Sequence, residues 1–197
     1  MLRILTPADY LTTPWKNGRG VTTEIAREPL PGASAAGFDF AWRLSMAPVR
    51  EDGPFSPFAG IERTIVVIEG AGCDLHFDTG EVHRLLPFEP YAFDGGAKVT
   101  GHLVDGPIRD FNVMVRRDVW QAQMQVHAGG EASLGSVRAG AVLVAHALAG
   151  SWNAHTTGED ARLDAGCTVV AANDITARSL PGEPQARLLM VLLEPRA

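Results

Sequence analysis

The stretch Thr79-Gly80-Glu81-x-x-Arg84-Leu85 returns 78 residues later as Thr157-Gly158-Glu159-x-x-Arg162-Leu163. At the same offset Ala71-Gly72 matches Ala149-Gly150 and Val66 matches Val144. A shared turn tripeptide preceded by apolar runs in both copies points to one fold unit used twice, which restricts the chain to architectures that tolerate internal duplication. Function in a duplicated chain tends to survive in one copy, so residues that the halves do not share point toward a site. At this offset His76 falls on Ala154 and Asp78 on Thr156.

Glycine and proline punctuate the sequence throughout, as in Pro29-x-Pro31-Gly32, Asp52-Gly53-Pro54, Asp94-Gly95-Gly96 and Pro181-Gly182. Between them lie short β-branched or aromatic runs at 38–47, 64–69, 73–77, 108–116, 141–146, 167–171 and 186–193. This rhythm predicts an all-β fold, sandwich or barrel, with the last run as a closing strand. A Gln/Ala/Gly/Ser-rich stretch at 121–136 separates the similar halves. The expected division is therefore 1–120, a first barrel with its N-terminal segment, and 121–197, a second one. The second half is small for an independent core, so the two are expected to pack as one compact body.

Bulk properties exclude several classes. A net charge of -6 argues against nucleic-acid binding, which needs a basic face. Pro7 interrupts the N-terminus before a signal-peptide core can form, and the apolar run at 140–150 contains His146 and is too short to span a bilayer. The expectation is a soluble cytoplasmic protein without membrane association. Cys73 and Cys167 stand alone, with no C-x-x-C, so neither a zinc ribbon nor a disulfide framework is indicated.

Polar residues inside the first-half strands are the candidates for chemistry. In Phe40-Ala41-Trp42-Arg43-Leu44-Ser45-Met46, alternation puts Trp42, Leu44 and Met46 on one face and Arg43 with Ser45 on the other. Arg63 is in line with Ile65 and Val67, and Asp110 and Asn112 oppose Phe111 and Val113. If these strands curl into a barrel, Arg43, Ser45, Arg63 and Asn112 converge on one cavity; otherwise that face is simply wet. Ahead of them, Trp15-Lys16-Asn17-Gly18-Arg19-Gly20 offers a flat ring, a cation, a donor–acceptor amide and two permissive glycines, as a loop over an anionic ligand requires.

Cupins that hold a metal typically carry Gly-x5-His-x-His with a following Glu. The chain has Gly70-x5-His76-Phe77-Asp78-Thr79-Gly80-Glu81, with aspartate for the second histidine and the Glu one residue early. His76 and Asp78 share a strand face in this reading, and a further histidine such as His83 or His102 would be needed. No metal and no other cofactor are expected, and the six histidines read as surface or hydrogen-bonded residues. No Gly-x-Ser-x-Gly elbow or His-Glu-x-x-His occurs, and among the carboxylates Glu24, Asp52 and Asp110 spacing singles out no acid–base pair.

Pro14-Trp15-Lys16-Asn17-Gly18, Phe40-Ala41-Trp42-Arg43-Leu44-Ser45, Asp52-Gly53-Pro54-Phe55-Ser56, Gly60-x-x-Arg63 and Arg109-Asp110-Phe111-Asn112-x-Met114 together resemble the signature blocks of the HutD/Ves family. The likeness runs through the first half in order; the second half carries it only by length and closing strands. It implies a bicupin, two β-barrels in one chain. HutD proteins are associated with bacterial histidine utilisation, where they are thought to bind an intermediate such as formylglutamate or urocanate and restrain the pathway; Ves proteins are associated with stress or cold responses. The family usually has Asn-Gly-Gly-Gly where this chain has Asn17-Gly18-Arg19-Gly20, so Arg19 extends or intrudes on the pocket. Carried over by position, the implied ligand-binding residues are Trp15, Lys16, Asn17, Arg43, Ser45, Arg63 and Asn112.

The resulting expectation is a binding protein for a small carboxylate metabolite. Lys16, Arg43 or Arg63 would supply charge-assisted hydrogen bonds, Asn17 and Asn112 would read polar substituents, and Trp15 would cover the pocket. One alternative is a cupin-type enzyme, a metal-independent isomerase or hydrolase or a metal-dependent one. Another is an interaction module of the Ves type, in which β-edges and residues 121–136 make a homodimer.

Overall fold

The computed structural model describes residues 2–15, 20–30, 39–134 and 138–196. Its first eleven strands are β1 (Leu2–Leu5), β2 (Leu11–Pro14), β3 (Val21–Pro29), β4 (Phe40–Val49), β5 (Gly53–Pro54), β6 (Ile61–Glu69), β7 (Cys73–Phe77), β8 (Val82–Leu85), β9 (Tyr91–Asp94), β10 (Val99–Leu103) and β11 (Ile108–Arg116). Eight more follow: β12 (Trp120–Ala128), β13 (Glu131–Ser133), β14 (Val142–Ala149), β15 (Trp152–Thr156), β16 (Glu159–Leu163), β17 (Thr168–Ala171), β18 (Thr176–Ser179) and β19 (Arg187–Pro195). Among the described residues no helix is long and apolar enough to cross a membrane. Both cysteines are free thiols.

The chain divides into two compact units, Leu11–Gln121, and Met1–Tyr10 with Ala122–Ala197. The first has a six-stranded sheet, β2-β3-β4-β11-β6-β9, and a four-stranded sheet, β5-β10-β7-β8. Ile65 and Val67 of the larger sheet pack with Cys73, Leu75, Leu85 and Val99 of the smaller one, so the core of this unit lies between its sheets. The other unit repeats the plan with β1-β17-β14-β19-β12 and β13-β18-β15-β16, enclosing Leu143, Ala145, Trp152, Leu163, Leu188 and Met190.

Two expectations change here. The first ten residues group with the second half rather than the first: β1 pairs antiparallel with β17, Leu2 opposite Ala171 and Leu5 opposite Thr168. The Tyr10 hydroxyl completes the attachment by donating to the Gly166 carbonyl at 2.7 Å. Nor is the stretch 121–136 a connector, since most of it forms β12 and β13.

The repeat is real in three dimensions but is not gapless. In the first hairpin the Phe77 N–H donates to the Glu81 carbonyl, leaving a three-residue loop, Asp78-Thr79-Gly80. In the second, Thr156 pairs with Glu159 across the two-residue loop Thr157-Gly158. Asp78 thus has no counterpart and sits in the turn rather than on the strand face of His76. Upstream of the turn the equivalences slip by one: His76 opposes Val82 and His155 opposes Asp160, so His76 corresponds to His155 and not to Ala154. A one-residue slip exchanges the faces of a strand, which is why the sequence offset mispaired an outward histidine with an inward alanine.

A β-bulge is repeated too, between Arg109 and Asp110 on the β11–β6 ladder and between Ala147 and Ala149 on the β14–β19 ladder. Behind it Gly70 (φ +97°) lies against Pro107 and Ile108, and Gly150 (φ +70°) against Ala186, each with a neighbouring Cα 3.0 Å from where a Cβ would stand. These two glycines are structural equivalents 80 residues apart. We predict that Gly70→Ala costs about 2–4 kcal/mol, because a methyl there adds a collision with the Pro107 carbonyl to the left-handed backbone strain. Gly80→Ala, at φ +90° with nothing within 4 Å, should cost only ~1 kcal/mol. Urea unfolding of the two variants checks the difference.

Candidate functional site

Cross-strand partners share a sheet face, so register alone places the first-half polar residues. Asn112 opposes Ser45 on one side and Ile65 on the other, while Met114 opposes Arg43 and Arg63. Asp110 opposes Ala47 and Val67. Arg43, Ser45, Arg63, Asp110 and Asn112 therefore occupy the face that Ile65 and Val67 turn into the core of the first unit. Four are almost fully buried: Ser45 (3% exposed), Arg63 (4%), Asp110 (2%) and Asn112 (4%).

Their centre is a hydrogen-bonded chain. Arg63 Nη2 donates to Asn112 Oδ1 at 2.7 Å, and Asn112 Nδ2 donates to Asp110 Oδ1 at 2.7 Å. The amide serves both charges at once, its oxygen toward the cation and its nitrogen toward the acid. The guanidinium is also ringed by Phe55, Phe58 and Phe93, its carbon 5.2, 5.8 and 5.2 Å from their centroids. Such contacts contribute up to ~2 kcal/mol each when desolvated, offsetting part of the several kcal/mol that burying a charge costs. Arg63 Nε is buried with no hydrogen-bond partner among the described residues.

Burial acts on both ends of the chain. It pushes the Asp110 carboxyl up to about 7, against the opposing pull of Arg63, a backbone hydrogen bond from Ala47 and the Asn112 amide. It lowers the Arg63 guanidinium to about 10, which leaves it charged at neutral pH.

At the edge of this polar interior, Arg43 Nε donates to Glu24 Oε2 at 2.7 Å, and Arg27 Nε lies 3.5 Å from Glu24 Oε1. Glu24 opposes Ser45 and so shares its face. Thr22, two residues earlier, accepts a 2.8 Å hydrogen bond from Trp15 Nε1. The Trp15 ring lies over Gly20, where any Cβ would come within 3.0 Å of it, so the glycine is required by the ring. The structure thus gathers Ser45, Arg63 and Asn112, sets Arg43 beside them, and anchors Trp15 to the same strand as Glu24. Lys16 and Asn17, with Gly18 and Arg19, lie outside the described residues. Strand alternation carries no signal for the three phenylalanines, although Phe55 stands within Asp52-Gly53-Pro54-Phe55-Ser56, and spacing alone marks Glu24 and Asp110 only as carboxylates.

The histidines of β7 and β10 do not face the interior, whereas His83 of β8, opposite Leu75, lies on the inward face. Leu75 and Phe77 face inward on β7, where His76 points the other way, and on β10 Val99 and Gly101 face inward, where His102 does not. Among the described residues no three His, Cys, Asp or Glu side chains are grouped to hold an ion. The second unit departs further. Through the shared bulge and ladder, Arg63, Asp110 and Asn112 correspond to Leu143, Leu188 and Met190. All three are core residues.

Comparison with known proteins adds the following. The HutD family profile matches residues 7–190. An uncharacterised 21.2 kDa protein of Pseudomonas putida, described by its position in the hutC 3′ region, is 43% identical over 125 residues, 63% of each chain. Protein Ves of Citrobacter koseri is 36% identical over 139 residues, 70% of this chain and 68% of that one. The structure of HutD from Pseudomonas fluorescens SBW25 (formate condition) superposes with TM-score 0.81 at 34% identity over the whole of both chains. Bicupin structures of only 6% and 9% identity still superpose at TM-scores of 0.64 and 0.63, which shows the fold alone. The fold is a bicupin.

The buried acid gives a pH signature. The folded protein retains on Asp110 a proton that the unfolded chain, with an ordinary carboxyl near 3.8, gives up, so the group's contribution to stability falls as pH rises from about 4 to about 7. His146, pulled down to about 4 by burial, acts in the opposite sense, its contribution being lost as pH falls from 6.5 toward 4. Asp110→Asn should therefore gain stability relative to the parent as pH rises through 4 to 7, by up to ~1.4 kcal/mol per pH unit. Melting temperatures of both proteins across that range would show it; a difference independent of pH would mean that Asp110 does not titrate there.

Proposed function

The chain belongs to the HutD family, and from that premise we propose that its first barrel binds a small carboxylate-bearing metabolite, an intermediate of histidine degradation such as formylglutamate or urocanate, and so restrains histidine utilisation. The observation that carries this reading is Arg63 Nε, a charged group's donor buried with no partner among the described residues. An unsatisfied buried donor costs about 1–3 kcal/mol, which a ligand carboxylate would recover. The aromatic ring around Arg63 and the Asn112–Asp110 chain hold the guanidinium in place before any ligand arrives, so little ordering is left to binding.

In this reading Arg63 is the primary anchor and Arg43, drawn partly away from Glu24, supplies a second cation. Ser45 and Asn112 read polar substituents. Trp15 closes one side, with Lys16 and Asn17 of the following loop assigned by family resemblance. The cytoplasm, where such intermediates arise, is the corresponding location.

A second reading has one observation in its favour. A carboxyl held near 7 beside a fixed guanidinium is suited to proton transfer at neutral pH, as a metal-independent cupin enzyme would need. Chemical conversion of the added ligand by the parent protein, absent with Asp110→Asn, would move the assignment to that class.

Thermal shift against formylglutamate and urocanate tests binding. At least one should raise the melting temperature of the parent protein, and Arg43→Ala should weaken its affinity ~10-fold or more, the worth of one charge-assisted hydrogen bond. No shift with either compound, or an equal shift in Arg43→Ala, would overturn the assignment.

A further inference from the structure

The outer face of the β5-β10-β7-β8 sheet brings two histidines together. His76 opposes Thr100 and His102 opposes Asp74, so the two stand diagonally on adjacent antiparallel strands, on the face away from Leu75 and Gly101. Their rings meet edge to face with centroids 4.5 Å apart. Both line a cleft of about 490 Å³ together with Pro54, Phe55, Lys98 and Thr100.

His102 is oriented from behind. Asp52 Oδ2 is 3.0 Å from His102 Nδ1, and Asp52 Oδ1 accepts the Leu103 N–H at 2.8 Å. A carboxylate only accepts, so in the neutral ring His102 Nδ1 carries the hydrogen and Nε2 keeps its lone pair. This is the tautomer and the supporting contact found behind metal-ligating histidines. Two imidazoles bound to one ion, each through a nitrogen ~2.1 Å away, have ring centres roughly 4.5–5 Å apart. The observed separation falls at the short end of that range, and rotation of the side chains, with the strands in place, would turn a nitrogen of each ring toward a common ion.

We propose that His76 and His102 form a two-imidazole site for a divalent transition-metal ion of the zinc, nickel or copper class, outside the barrel interior, with Asp52 as the residue that orients His102. Asp78 lines the same cleft, but no three His, Cys, Asp or Glu side chains among the described residues are grouped to hold an ion, so the remaining coordination positions belong to water or to a small chelating ligand held in the cleft. Imidazole selects this class over magnesium and calcium, which favour oxygen ligands.

Isothermal titration of the full-length, tag-free protein with zinc or nickel chloride tests the site. Saturable 1:1 binding is expected, unaffected by millimolar magnesium or calcium. His76→Ala and His102→Ala should each weaken it at least ~10-fold, and Asp52→Asn by about 10-fold, the usual effect of removing a supporting contact. Unchanged melting temperatures without metal would confirm that the variants are folded. Absence of saturable binding to the parent protein, or parent-like affinity in the His76→Ala/His102→Ala double variant, would overturn the proposal.

Discussion

The first unit is organised around a buried guanidinium. Arg63 has left water for a space between two sheets that is otherwise filled by Ile65, Val67, Leu75 and Phe93. An uncompensated charge there would be untenable. The answer is distributed over three strands: β6 supplies Arg63, β11 supplies Asn112 and Asp110, and β9 supplies one of three aromatic rings. Because these groups must meet, slipping β11 by one residue against β6 would put Asn112 and Asp110 outside and leave the cation stranded. The polar chain therefore specifies register as firmly as the hydrophobic pattern does.

The second unit shows what the same backbone does without such a constraint. With Leu143, Leu188 and Met190 at the corresponding positions, its interior is a continuous apolar cluster. Both units keep the bulge and the close-packed glycine behind it, which concern how the chain turns. Only one keeps the buried charge. Duplication has preserved the geometry of the strands while separating their interior chemistry.

Much of this was legible in the sequence, and the parts that were not have physical reasons. Alternation placed Arg43 and Ser45 opposite Trp42 and Leu44, and Asn112 opposite Phe111, because the two-residue period of a strand is fixed by backbone geometry. The rings of Phe55, Phe58 and Phe93 were not foreseen around Arg63, since turns and cross-strand register bring them there and no local period encodes that meeting. The stretch at 121–136 looked like a connector by composition. Its alternation of Gln121, Gln123 and Gln125 with Ala122, Met124 and Val126 was the better guide, and β12 runs through it. The repeat was visible through its turn glycines, but a gapless comparison could not register that the second hairpin loop is a residue shorter.

The pairing of β1 with β17 has a consequence for how the molecule is made. β1 has its partner strand far along the chain, Leu2 opposite Ala171. During synthesis the Leu11–Gln121 unit has all its own strands well before β17 exists, whereas β1 must wait, unpaired, until β17 has followed. So distant a pairing is costly in loop closure and slow to form. β1 is accordingly short, with Arg3 and Ile4 exposed even after pairing, so little apolar surface is at risk of mispairing while it waits. Pairing of β1 with β17 is thus a late event in the assembly of the second sheet.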